Sequence, residues 1–182
     1  MIPNILWQTW KTNSPPEVLK QHFNSWQNSN PQLSRNLYSD KECLDFIKNN
    51  FEEEVYLLYQ SLPLPIMRAD FWRIAVVYIH GGYYSDLDII CNVSLSEIIH
   101  STVSCVFTKE INNISNFFFA AEPKNPVLKL ALDYMIEEAK NITDKDTQSF
   151  GMHSLHRAVR EYYCVVETNY PNNDDVQILD NQ

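Results

Sequence analysis

The sequence predicts an α/β domain with a mostly parallel sheet flanked by helices, and three features predict it. Strand-like apolar runs alternate with helical periodicities from the N-terminus, the rhythm of β-α-β units. An apolar helical run ends in Gly81-Gly82 and passes directly into the aromatic segment Tyr83-Tyr84. An amphipathic helix begins at Asn125-Pro126, behind two further strand-like runs. At 182 residues the chain is expected to form a compact single domain over 1–182, with a loose polar tail from about 168.

Each element has its own signal. Ile2 to Trp10 is apolar and aromatic, which predicts a buried first strand. Ser14-Pro15-Pro16-Glu17 has the form of a capping box, and Val18, Leu19, His22, Phe23 and Trp26 follow at helical spacing. Asn30-Pro31 ends that helix. Arg35 to Tyr38 is a short second strand, and Ser39-Asp40-Lys41-Glu42 caps a helix running to about Asn49. A helix over Phe51 to Leu62 is interrupted by Pro63 and Pro65, and the next runs from about Ile66 to His80. Its Met67, Phe71, Ile74, Ala75 and Tyr78 share one face, with Asp70 and Arg73, at i and i+3, beside it. The double glycine then opens a strand carrying Asp86 and Asp88, followed by strands over Val103 to Thr108 and Phe117 to Ala121. The helix from Pro126 to about Lys140 turns Val127, Leu130, Ala131, Tyr134 and Met135 inward. A polar loop over 141–148, a helix from about Met152 to Tyr163 and a short strand at Val165-Val166 complete the reading.

Composition excludes several functions. A net charge of −9 argues against a nucleic-acid surface, which needs clustered Lys and Arg. Cys43, Cys91, Cys105 and Cys164 are far apart with no C-x-x-C pair, so reduced, buried thiols are expected. No apolar run reaches the length of a membrane span, and MIPNILWQTW has no basic stretch ahead of its hydrophobic residues. The chain is therefore expected to be soluble and cytoplasmic, or peripheral at a membrane, unless an anchor has been lost.

The chemistry concentrates after the double glycine. In a strand, residues i and i+2 share a face, so Asp86 and Asp88 are expected to point the same way, with alpha carbons roughly 6.8 Å apart. Two neighbouring carboxylates in an apolar setting call for a cation, and a divalent metal fits. Asp144-Lys145-Asp146 repeats the spacing in a polar loop, where it reads as a solvated turn. Asp70 and Arg73 read either as a surface ion pair or as groups facing the same crevice as the aspartates. Trp7 and Trp10 read as core, or as a platform for a base at the end of a parallel strand. His80 suits the negative end of its helix, and His153 and His156 lack a neighbouring carboxylate or Cys, so all three read as structural.

The ordered set Ile2-Pro3 to Trp10, Arg68-Ala69-Asp70-Phe71-Trp72-Arg73, Tyr78, Gly81-Gly82-Tyr83-Tyr84 and Asp86-Leu87-Asp88 resembles the DXD-containing sugar transferases of glycosyltransferase family 32. Asn116 to Ala121, with Glu122-Pro123-Lys124-Asn125-Pro126 after it, resembles that family's Asn-bearing strand and following helix. The resemblance implies a GT-A-type fold, a UDP- or GDP-sugar donor, Mn2+ or Mg2+ as cofactor, a glycan or other hydroxyl acceptor, and retention of anomeric configuration. It implies catalytic roles for Asp86, Asp88 and Arg73, with Asp88 ligating the ion directly and Asp86 meeting the ribose and the ion's water shell. Trp10 would stack on the base, Asp70 and Arg73 would hold nucleotide and sugar, and Tyr84 and Asn116 would line the donor pocket. The sequence departs from the family at Trp7, where His is usual, and at Phe150-Gly151-Met152, which only loosely follows a Thr-Gly-Pro turn. It is also short for the fold, which keeps a degenerate, non-catalytic sugar-binding module as the alternative. A glycoside hydrolase needs its carboxylates on opposite sides of the scissile bond, which one strand face does not supply.

Overall fold

The computed structural model describes residues 1–142 and 150–180 of the chain. The Asp144-Lys145-Asp146 turn lies outside the described residues. Six strands, β1 (Ile5–Trp10), β2 (Ser34–Ser39), β3 (Gly82–Ser85), β4 (Cys105–Glu110), β5 (Asn113–Ala121) and β6 (Val176–Asp180), form one sheet in the order β2-β1-β3-β5-β4-β6. β1 runs parallel to β2 and β3, and β6 runs parallel to β4, whereas β5 is antiparallel to both its neighbours. The helices are α1 (Glu17–Ser29), α2 (Asp40–Asn50), α3 (Glu53–Ser61), α4 (Pro65–His80), α5 (Leu95–Ile98), α6 (Pro126–Ala139) and α7 (Phe150–Tyr162).

Strand alternation sorts the core into two clusters. Trp7 of β1 and Tyr84 of β3 face α2, α4, α6 and α7. Leu6 and Tyr83, one residue earlier in each strand, face the smaller cluster under Trp26 of α1 and Leu95 of α5. α4 is the central helix: Met67, Asp70 and every residue from Phe71 to Val77 are buried. It is apolar nearly all round, not along the single stripe expected, as suits a helix packed on several sides. Asp70 and Arg73 are consequently buried charges and not a surface pair.

Several local expectations hold. Ser39 and Glu42 form a reciprocal capping box at the start of α2. Gly81 caps α4 at φ 67°, and Gly82 follows at φ 102°. A Cβ on Gly82 would stand 2.5 Å from the Ile5 carbonyl oxygen, so the junction also needs glycine for the approach of β1.

Other expectations are corrected. α1 starts without a side-chain cap: Pro16 is its N-cap, and the Thr12 and Ser14 groups bond each other instead. Val165-Val166 is no strand. Cys164 and Glu167, on either side, take φ 53° and 58°, left-handed positions that turn the chain. The last strand is β6, which lies in the segment expected to be loose and closes the sheet beside β4. Cys43, Cys91 and Cys105 are free and buried, but Cys164 is exposed. Among the described residues no helix is long and apolar enough to cross a membrane.

Candidate active site

The largest correction concerns the aspartates. β3 stops at Ser85, and residues Asp86 to Ile89 form a turn closed by the Ile89 N–H donating to the Asp86 carbonyl at 3.3 Å. Asp86 and Asp88 reach one cleft through this turn and not through strand alternation. Leu87, between them, is 4% exposed and anchors the turn in apolar surroundings. The Asp86 N–H donates to the Phe117 carbonyl at 2.8 Å, which carries the β3–β5 pairing one residue past the strand end.

The cleft, about 400 Å³, opens at the C-terminal ends of β1 and β3, where open α/β sheets place their ligands. Its polar side holds Arg73, Asp86, Asp88, Asp40 and Lys11; Trp10, Leu19, Pro65, Ile66 and Leu87 supply an apolar side.

Behind the cleft wall, α4 and β5 build a charge network around Arg73, whose side chain is 4% exposed. Its Nη2 lies 3.2 Å from Asp70 Oδ1 and 3.2 Å from Asp86 Oδ1, and its Nη1 donates to the Asn116 carbonyl at 2.9 Å. The guanidinium also covers the Tyr84 ring at 4.7 Å, and the Tyr84 hydroxyl donates to Asp86 Oδ1 at 2.7 Å. Asp70 accepts from Asn116 Nδ2 at 2.9 Å and from the Gly151 N–H at 3.4 Å. Burial opposes the Arg73 charge, but Tyr84, Asp86 and Asp70 outweigh it and hold its pKa above the ordinary value. Burial pushes the carboxyls of Asp70 and Asp86 up, with Arg73 the main opposing influence.

Asp70, Arg73, Tyr84, Asp86 and Asn116 are thus one contiguous network. Arg73, Tyr84, Asp86, Asp88 and Trp10 line the cleft, whereas Asp70 and Asn116 stand behind Arg73, covered by the start of α7. Asp88 is exposed, and its carboxylate accepts no hydrogen bond among the described residues. Trp10 is half-buried at the cleft's edge. Trp7 has a different task from Trp10: it is buried, stacks on His80 and donates through Nε1 to the Gly81 carbonyl at 2.8 Å, tying β1 to the glycine turn. His156 accepts the Ile114 N–H on Nδ1, which makes it structural.

Sequence reasoning missed Gln8 and Ser85, and it read Gly151 only as part of a loosely matching turn, without its contact to Asp70. A Cβ on Gly151 would lie 2.5 Å from Asp70 Cβ, so this glycine lets α7 close on the buried carboxylate. Its signal was rarity, as one of three glycines in the chain. Gln8 was the only residue of its kind in an otherwise aromatic and apolar stretch, Leu6 to Trp10, apart from Thr9.

The sheet with its mixed edge, and an acidic turn at the ends of its parallel strands, give the domain a GT-A-type architecture. The solved structure of the PaToxG glycosyltransferase superposes with a TM-score of 0.71 over 88% of this chain and 69% of its own, at 14% identity. The family described as the glycosyltransferase sugar-binding region containing the DXD motif matches residues 16–104 of this chain. An uncharacterized glycosyltransferase of Acanthamoeba polyphaga mimivirus is 29% identical over the whole of this chain and 72% of its own length. Inositol phosphoceramide mannosyltransferase 2 of Schizosaccharomyces pombe is 31% identical over 78% of this chain. The initiation-specific alpha-1,6-mannosyltransferase of Candida albicans is 30% identical over 47% of it. The match spans only 40% of the fission-yeast relative and 24% of the Candida one.

Proposed function

We propose that this chain transfers a hexosyl group from a UDP- or GDP-sugar to an acceptor hydroxyl, with a divalent cation and with retention of configuration. The observation that carries the reading is the pairing of a neutralised inner acid with a free outer one. Asp86 is held by Arg73 and Tyr84, while Asp88, two residues on in the same turn, faces the cleft unengaged. The names of the yeast relatives make mannose the first sugar to test and a glycan or glycolipid the first acceptor.

The donor set fits Mn2+ or Mg2+. Hard cations of this size take oxygen ligands and are commonly held by one or two carboxylates, the rest coming from phosphate and water. Asp88 and Asp86 supply those two carboxylates, and among the described residues no group of three or more His, Cys, Asp or Glu makes a closed all-protein site. When bound, the ion supplies charge neutralisation for the leaving diphosphate. Asp88 would hold it directly, with Asp86, already hydrogen-bonded to Tyr84, as the second carboxylate beside it. Arg73 fixes the position of Asp86 and adds positive potential at the cleft floor. Trp10 offers an indole face for the base beside Leu19, and Leu87 keeps the turn seated. Asp70 and Asn116 act from behind, by holding Arg73 in register.

A panel of UDP- and GDP-sugars assayed for hydrolysis with and without Mn2+ tests the proposal. We expect turnover with one donor that requires the metal and falls at least about 100-fold in Asp88→Asn, consistent with loss of a direct ligand. Because Asp88 is exposed, the variant should keep the wild-type unfolding midpoint. Turnover surviving in Asp88→Asn would overturn the metal role. Metal-dependent nucleotide binding with no turnover of any donor would make the chain a non-catalytic binding module.

A further inference from the structure

We infer that Gln8 is a positioning residue for the acidic turn: its side-chain amide holds the one backbone carbonyl on which the turn closes, and so sets where Asp88 stands. This rests on the glycosyltransferase reading above. Gln8 is in the middle of β1 and 0% exposed. Its Nε2 donates to the Asp86 carbonyl at 3.3 Å. The same oxygen takes the Ser85 hydroxyl at 3.0 Å and the Ile89 N–H at 3.3 Å. Three donors from two strands and from the turn itself therefore converge on one carbonyl, while the N–H of the same residue is held by Phe117.

The other half of the amide shows that packing alone does not account for Gln8. Its Oε1 is buried and has no hydrogen-bond partner. Reversing the amide would set that oxygen against the Asp86 carbonyl oxygen, so the orientation is fixed. An apolar residue of the same length would avoid the unpartnered oxygen, and replacing such a group by an isostere is often neutral or stabilising. The amide is a net cost to the fold unless the held turn is worth it. With Asp86 fixed at both backbone atoms and at its carboxylate, and Leu87 buried, Asp88 is the one side chain of the pair left to meet a ligand. Groups that orient metal ligands from behind typically carry 10–100-fold in metal affinity.

The test is Gln8→Met, read by Mn2+ titration of the free-ion electron paramagnetic resonance signal with UDP or GDP present, and by thermal unfolding without metal. We expect the unfolding midpoint to be unchanged or raised, and Mn2+ affinity to weaken by about 10-fold or more. In a donor assay the apparent KM for Mn2+ should rise by the same factor, with kcat at saturating metal little changed. Ser85→Ala, which removes a second donor from the same carbonyl, should weaken Mn2+ affinity in the same direction, and decides the matter if Gln8→Met does not fold. Wild-type Mn2+ affinity in Gln8→Met, or in Ser85→Ala where that variant decides, would overturn the inference. So would a lowered midpoint with affinity intact, which marks a purely structural amide. Wild-type protein that binds no Mn2+ with either nucleotide would instead remove the glycosyltransferase reading, and this inference with it.

Discussion

At the scale of single residues, the molecule turns on how one cation settles two acids. Arg73 stands 3.2 Å from both Asp70 and Asp86, and its own side chain is almost fully enclosed. Removing one partner of a buried pair costs more than the pair contributes, because the remaining charge is left without solvent or counterion. Arg73→Met should therefore destabilise by about 3–5 kcal/mol in urea unfolding. Adding Asp70→Asn to that variant should recover part of the loss, since the stranded carboxylate is gone. If the double variant is no more stable than the single one, Asp70 is not the group that Arg73 neutralises. Asp70 and Arg73 were legible as a pair at helical spacing, and their resemblance to a family motif was legible too. That they would be buried was not: the i, i+3 spacing says which side chains meet, and only the packing of α6 and α7 over α4 says that water is excluded. Gln8 was invisible for a related reason. A glutamine in a strand declares neither its partner nor its buried oxygen until the turn of another strand is laid against it.

At the scale of elements, the junction of α4 with β3 places the site. A helix that ends at His80 and a strand that begins at Gly82 leave a single residue for reversing the chain, and both glycines adopt positive φ. Gly82→Ala would bring a Cβ to 2.5 Å from the Ile5 carbonyl, a backbone atom that moves only if β1 moves. Strain of this kind costs about 1–3 kcal/mol, and β1 carries both Trp10 and Gln8. We expect Gly82→Ala to lower stability by at least that amount and to weaken Mn2+-dependent nucleotide binding together with it. Unchanged binding at reduced stability would separate the junction from the site. This junction was readable from two adjacent glycines at the end of an apolar helix. The element after it was read too long, because an apolar run such as Leu87 to Ile90 fits an extended strand and an anchored turn equally well. Pairing with β1 ends at Tyr84 and the ladder with β5 at Ser85, and pairing is a tertiary fact. β6 was missed for the same reason: its residues become a strand by lying beside β4.

At the scale of the whole molecule, stability is expected to fall on the acid side through histidines that the fold keeps neutral. His156 on α7 accepts the Ile114 N–H of β5 at 3.1 Å and meets the Tyr170 hydroxyl at 3.2 Å, so it links helix, sheet and C-terminal segment. Burial lowers its pKa below the ordinary 6.5, helped by Arg160 and His153. Burial also lowers that of His80, helped by Lys124. Below pH 6.5 the unfolded chain takes up protons at these positions that the folded chain refuses, so unfolding is favoured as pH falls. Their contribution is fully present above the unfolded value and is lost as pH drops through the folded values. Asp70 and Asp86 have the opposite sign. Burial raises both above the ordinary 3.8, so the folded state holds protons that the unfolded state releases, and that contribution disappears as pH rises through the folded values. The acid limb that begins just below pH 6.5 should therefore belong to the histidines. His156→Asn keeps an oxygen that can accept the Ile114 N–H but cannot be protonated in this range. Urea unfolding across pH 5 to 7 should show a shallower slope for His156→Asn than for wild type, and a shallower one still when His80→Gln is added. Parallel slopes in all three proteins would show that neither histidine carries the acid limb and remove His156 as the proton-sensitive link between α7 and the sheet.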